Sequence, residues 1–184
     1  STDPDVARSF EMMDFMDVVL DFEKYFVELT EARRKTPTDD LASLIANSEI
    51  DGEPLPQHET NGYYMIIATA GHDTTSASTA GGLLALLERP EEMAKLRADI
   101  DGLLPTAIDE MIRWVSPVRH FMRTATRDCE VAGQTIREGE SAVLWYPSAN
   151  RDESVFDAPF EFRVDRSDAK QIAFGFGAHV CLGQ

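Results

Sequence analysis

The stretch FGFGAHVCLGQ, residues 174–184, sets a single cysteine, Cys181, among Gly175, Gly177 and Gly183. Gly175 and Gly177 permit a tight loop, and Gly183 follows the sulfur closely. A helix beginning at Cys181 would turn its amino-terminal dipole toward the sulfur and favour a thiolate, which is a good soft metal ligand. A lone cysteine is more often an inert buried residue. His179, two residues earlier, raises a Cys/His zinc site, but tetrahedral zinc needs further ligands and none has suitable local spacing.

Upstream of this loop the sequence reads as a helical body followed by a small β region. Phe15, Val19, Phe22, Phe26 and Leu29 recur at spacings of four and three, predicting an amphipathic helix that ends near Lys35. Thr38 reads as the N-cap of a short helix with Asp39 and Asp40 in its first turn and Leu41, Leu44 and Ile45 on its buried side. Residues 50–56 form a turn, and 57–88 read as one long helix without proline. Its middle, ATAGHDTTSASTAGG, is rich in poor helix formers, so something other than propensity must justify it. Pro90 opens a further helix that Gly102 closes, and Pro105 begins one that Pro117 stops. Short β-like runs at 121–126, 130–131 and 141–146, separated by Ala132-Gly133 and Glu138-Gly139, predict a small sheet. An irregular stretch over 147–168 carries Phe156, Phe160 and Phe162.

The 184 residues fit one domain, and a formal charge of −16 argues against nucleic acid and anionic membrane as partners. Two cysteines, Cys129 and Cys181, are too few for a disulfide framework, which makes a reducing cytoplasm the default. No apolar run reaches the length of a membrane span. The opening STDPDVARSFEMMDF lacks an initiator methionine, so the amino terminus reads as missing.

Two further motifs carry chemistry. Glu110 and Arg113 (EMIR) lie three apart on a helix and can meet on one face, although the same spacing at Glu31 and Arg34 (EARR) reads as a solvated surface pair. In AGHDTT, the Thr74 hydroxyl can bond back to the Ala70 carbonyl and bend the helix, with Gly71 leaving room for a ligand. Packing of helices through small residues explains such a run equally well. An acid beside an alcohol, Asp73 and Thr74, suits proton delivery at a kink.

Together these segments resemble the cytochrome P-450 family of haem-thiolate monooxygenases: residues 174–183 match its FxxGxxxCxG haem loop, AGHDTT its oxygen-activating helix and EMIR its ExxR helix. The resemblance implies a mainly α fold with a small β region, of which the chain is a part. Residues 1–184 would belong to one domain, helical over 1–117, β over 118–147 and a meander with the cysteine loop over 148–184. Family members are more than twice as long, so Gln184 is expected to be a truncation boundary, and the fragment is not expected to fold stably alone.

The resemblance also implies roles. Cys181 would be the axial ligand of haem b (iron protoporphyrin IX), Phe174 would pack beside it and Gly175 would shape the loop. Arg123 and His179 would pair with the haem propionates, and Asp73 and Thr74 would deliver protons during oxygen activation. Ala70, Gly71, Val118 and Phe121 would line the substrate pocket, while Glu110, Arg113 and Arg166 would form a structural charge cluster. TAGHDTTSAS, FMRTAT and YPSANRDE resemble soluble bacterial members related to terpineol hydroxylases. The implied reaction hydroxylates a small hydrophobic substrate with O2 and electrons from an iron–sulfur ferredoxin and its reductase. Alternatives are a peroxide-driven peroxygenase, which usually departs from the acid–alcohol pair, and a passive haem sensor, which has no need of one.

Overall fold

The computed structural model describes residues 12–167 and 170–184, with side chains from Met16 onward. The chain divides between Gly71 and His72 into two compact units. The architecture is mainly helical with a small β component, as expected.

The first unit contains α1 (Met12–Lys35), α2 (Leu41–Ala46), a hairpin of β1 (Glu49–Ile50) and β2 (Glu53–Pro54), and the start of α3 (Gln57–Leu87). The apolar stripe of α1 is buried only at its carboxyl-terminal end, where Phe26 packs with Ile45 and Tyr64 inside a ring of Leu29, Ala42 and Met65. Phe22 stays exposed, Val19 is half-buried, and the side chain of Phe15 lies outside the described residues.

The capping of α2 corrects the sequence reading. Asp40, not Thr38, is the N-cap, its carboxylate accepting the Ser43 N–H at 2.7 Å. Thr38 instead donates its N–H to Ser43 Oγ at 2.8 Å, which turns Ser43 inward. The helix therefore buries Ser43, Ile45 and Ala46, and leaves Leu41 and Leu44 exposed. The expected Glu31–Arg34 pair is also absent among the described residues, because Arg34 donates to the carbonyls of Ala46 and Leu55 at 2.9 and 2.8 Å, tying α1 to α2 and the hairpin.

Arg33, the Ser43 N–H and Thr38 together hold the Asp40 carboxyl well below the usual carboxylate range. A depressed folded-state pKa contributes stability that is complete above the unfolded value, about 3.9, and is lost as pH falls through the folded one. The stability difference between the wild type and Asp40→Asn should thus be constant from neutral pH to about pH 5 and shrink below about pH 4. Urea unfolding at stepped pH measures this, and a constant difference down to about pH 2 would contradict the assignment.

The second unit contains the rest of α3, α4 (Pro90–Ala98), α5 (Ile100–Val115), two antiparallel ladders and an irregular carboxyl-terminal segment. Its core joins Ala85, Leu86, Leu96 and Ala107 to Phe162 and Val164, with Met93, Leu103, Met111 and Trp114 packed around them. Gly81 and Gly82 let α3 approach α5 closely: a Cβ there would stand 2.7 Å from Val115 and 2.6 Å from Met111.

The start of α5 differs from expectation. Asp99 caps it by accepting the Gly102 N–H at 3.0 Å, so Gly102 lies in its first turn and closes nothing. Pro105 sits inside the helix, where the main cost is an Asp101 carbonyl with no N–H to accept. At the other end Ser116 adopts a left-handed conformation and donates its N–H to Ile112, before Pro117.

The β region forms separate two-stranded ladders among the described residues, where one small sheet was expected. β3 (His120–Thr124) pairs with β6 (Ser141–Trp145), and β4 (Cys129–Val131) with β5 (Gln134–Ile136), a strand the sequence reading missed. Tyr146 does not extend β6 but opens α6 (Tyr146–Ala149). In the following segment Phe156 and Phe162 are buried and Phe160 is exposed.

Candidate functional site

The cysteine loop is shaped by backbone conformation. Gly175 and Gly177 have φ of 76° and 81°, a left-handed region that disfavours other residues. A short 3-10 turn spans Gly177–His179, and the Cys181 N–H returns to the Phe174 carbonyl at 2.9 Å, closing the loop. The Gly183 N–H points at Cys181 Sγ from 3.3 Å. The helix expected from Cys181 is not formed in the described residues, which show a turn there. Cys181 is exposed, Phe174 half-buried, and the flanking Phe176 and Leu182 are exposed at 91% and 89%.

This donor set fits a haem iron. One soft sulfur on a glycine loop receives a backbone N–H, beside exposed apolar side chains suited to a flat hydrophobic macrocycle. Among the described residues no three His, Cys, Asp or Glu gather as a metal cage, so Cys181 offers a single ligand to a metal whose other positions something else must fill.

Glu110, Arg113 and Arg166 come together in a fully enclosed cluster. The Glu110 carboxylate accepts from Arg113 Nε at 2.6 Å and Nη2 at 2.8 Å, from Arg166 Nε at 2.9 Å and from the Arg163 backbone N–H at 2.9 Å. Arg113 then donates to the carbonyls of Asn150, Pro159 and Glu161, and Arg166 to those of Asp157, Ala158 and Glu161. One carboxylate and two guanidinium groups thus organise a segment with no regular hydrogen-bonding of its own. Nearby, burial together with repulsion from Arg113 and Arg119 pushes the Arg151 pKa below the ordinary arginine value, against the pull of Glu110.

Asn150 was missed by sequence reasoning although it lies in YPSANRDE. Completely buried, it donates Nδ2 to Ser116 Oγ at 2.8 Å and accepts the Ile172 N–H at 2.9 Å. Gly175 donates to the Ile172 carbonyl at 2.8 Å, so a single amide links the end of α5 to the base of the cysteine loop. Glu92, buried on α4, plays a comparable part by accepting the Val164 N–H at 2.7 Å. In the sequence both stand beside other polar residues, without a spacing that names their partners.

The other candidates stand on α3 and β3. Asp73 is exposed, with His72 Nε2 at 3.9 Å from its carboxylate, and Thr74 is half-buried. Back-bonding of threonine to the carbonyl four residues earlier occurs on this helix at Thr69 and Thr79, and neither Ala70 nor Thr74 is without a partner. A Cβ on Gly71 would meet nothing within 4 Å, unlike Gly81 and Gly82, so packing explains the second pair of glycines and not Gly71. Phe121 is half-exposed on β3, Val118 is half-buried before it, and Arg123 donates to the Met122 carbonyl. No hydrogen bond joins Arg123 to His179 among the described residues.

The cytochrome P-450 family profile matches residues 6–184. The chain is 48% identical over 170 residues to cytochrome P-450-terp of a Pseudomonas species, covering 92% of this chain and 40% of that protein. It is 42% identical over 182 residues to a methyl-branched lipid omega-hydroxylase of Mycobacterium tuberculosis, covering 98% and 42%. The structure of CYP108D1 from Novosphingobium aromaticivorans superposes with a TM-score of 0.83 at 50% identity, over 90% of this chain and 40% of that one. The chain therefore spans about two fifths of the length of the relatives it matches. The loop geometry, the buried charge cluster and these matches agree, and the chain belongs to the cytochrome P-450 family.

Proposed function

We propose that this chain is the haem-loop portion of a soluble, cytoplasmic monooxygenase that converts a substrate C–H and O2, with two electrons and two protons, into an alcohol and water. The observation that carries the reading is the closed Cys181 loop with its N–H directed at the sulfur. Haem b held through Cys181 would supply the oxygen activation and insertion chemistry when bound.

The chain's own residues do the rest. The Gly183 N–H is directed at the Cys181 sulfur, and Phe174 would pack beside the sulfur and limit its exposure once haem is bound. Arg123 and His179 would offset the propionate charge, Arg123 by charge-assisted hydrogen bonding. Asp73 and Thr74 hold and pass on the two protons, while Ala70, Gly71, Val118 and Phe121 orient an apolar substrate. Glu110, Arg113 and Arg166 support the loop without touching the chemistry.

A methyl-branched aliphatic substrate such as a terpenoid is the proposed class, to which the names of the two relatives point. A ferredoxin and its reductase are the proposed electron source. The retained Asp73–Thr74 pair favours O2 over a peroxide oxidant. The test is the reduced carbon monoxide spectrum of the full-length protein: the long-wavelength Soret band of a thiolate-ligated haem is expected, and a histidine-type spectrum would overturn the reading. In the same protein Thr74→Ala should divert most of the electrons consumed away from product, and unchanged coupling would remove Thr74 from proton delivery.

A further inference from the structure

Tyr146 has no part in the chemistry above, yet its ring meets Phe121 and its hydroxyl faces Gly175. The residue is buried, held by its N–H to the Arg119 carbonyl at 3.0 Å and by its carbonyl to the Asn150 N–H at 2.9 Å. Its ring meets the edge of the Phe121 ring at 6.0 Å with an interplanar angle of 63°. Its hydroxyl lies 3.4 Å from the point where a Cβ on Gly175 would stand, and makes no hydrogen bond among the described residues.

We infer that Tyr146 is a positioning residue, a strut that couples the position of Phe121 to the haem loop through Gly175. The inference rests on the proposed substrate-side role of Phe121 and the ligand role of Cys181. Close-packed interiors transmit displacement and do not absorb it, and a tyrosine has only two side-chain torsions with which to yield. The far end is equally stiff, because Gly175 is fixed at φ 76° by its bond to Ile172 and the loop is closed from Cys181 to Phe174. A substrate that moves Phe121 then shifts the iron's environment, and by linkage the state of the iron changes substrate affinity by the same factor.

A double-mutant cycle on the full-length holoenzyme tests this without a known substrate, reading the iron reduction potential by spectroelectrochemistry. Phe121→Leu should move the potential in the wild-type background. In Tyr146→Phe, which keeps the ring and removes the hydroxyl facing Gly175, the same substitution should move it by about twofold less or smaller still. Tyr146→Leu, which breaks the contact at the Phe121 end, should do likewise. Equal shifts in all backgrounds, or no shift in the wild type, overturn the coupling. A wild type lacking the thiolate-type carbon monoxide spectrum overturns the functional reading instead, so the two failures are distinct.

Discussion

Glu110→Ala is expected to cost about 3–5 kcal/mol of folding stability and to leave the full-length protein without haem. The substitution deletes one carboxylate but strands four donors: Arg113 Nε and Nη2, Arg166 Nε and the Arg163 N–H. Both guanidinium groups are wholly buried, so neither can turn to water. Uncompensated buried charge, more than loss of the pair's own attraction, sets the size of the effect. Glu110→Gln should be nearly as damaging, since it replaces an acceptor oxygen with an amide that donates toward a guanidinium. Glu31→Ala, at the same position of the other ExxR, should stay within about 0.5 kcal/mol. Urea unfolding and haem absorbance of the full-length variants decide the matter. A Glu110→Ala protein as stable and as haem-loaded as the wild type would remove the cluster from its structural role.

Cys181→Ser should abolish monooxygenase turnover and the thiolate-type carbon monoxide spectrum while leaving folding stability within about 0.5 kcal/mol of the wild type. The two effects separate because different atoms carry them. Loop closure uses the Cys181 backbone N–H, which serine retains, and the exposed sulfur packs against little else. A hydroxyl is a far weaker and harder ligand than a thiolate at neutral pH, so the electron donation proposed for Cys181 would be lost with the sulfur. Retained activity would reassign the ligand, and a large loss of stability would mean that Sγ carries a packing role.

The elements legible in the sequence were those whose signal is local. The haem loop shows itself because glycine positions encode a backbone conformation directly, and the long helix because nothing interrupts 57–88. Glu110 and Arg113 were readable as a pair, but the six outward bonds from the Arg113 and Arg166 guanidiniums to main-chain carbonyls were not: carbonyls carry no residue identity. Asn150 escaped for the same reason, since its partners Ser116 and Ile172 lie 34 and 22 residues away. Caps failed by small margins. At α2 two adjacent acids follow a threonine, and only the geometry shows that Thr38 donates to the cap, Asp40, and does not act as one. At α5, Asp99 started a helix earlier than the proline that propensity favoured, because a carboxylate that satisfies an orphan N–H outweighs the preference of Pro105 for a first turn.

The close approach at Gly81 and Gly82 makes α3 a lever. The helix is about 46 Å long at 1.5 Å per residue, and the two glycines are its fulcrum against Val115 and Met111 on α5. Thr74 lies about 12 Å along the arm from Gly82, whereas the gap a new methyl group must open is about 1 Å. Prising the fulcrum apart by that much swings the acid–alcohol pair by a comparable distance. On the proposed reading of Asp73 and Thr74, their placing is therefore adjustable from a glycine more than two turns away along the helix.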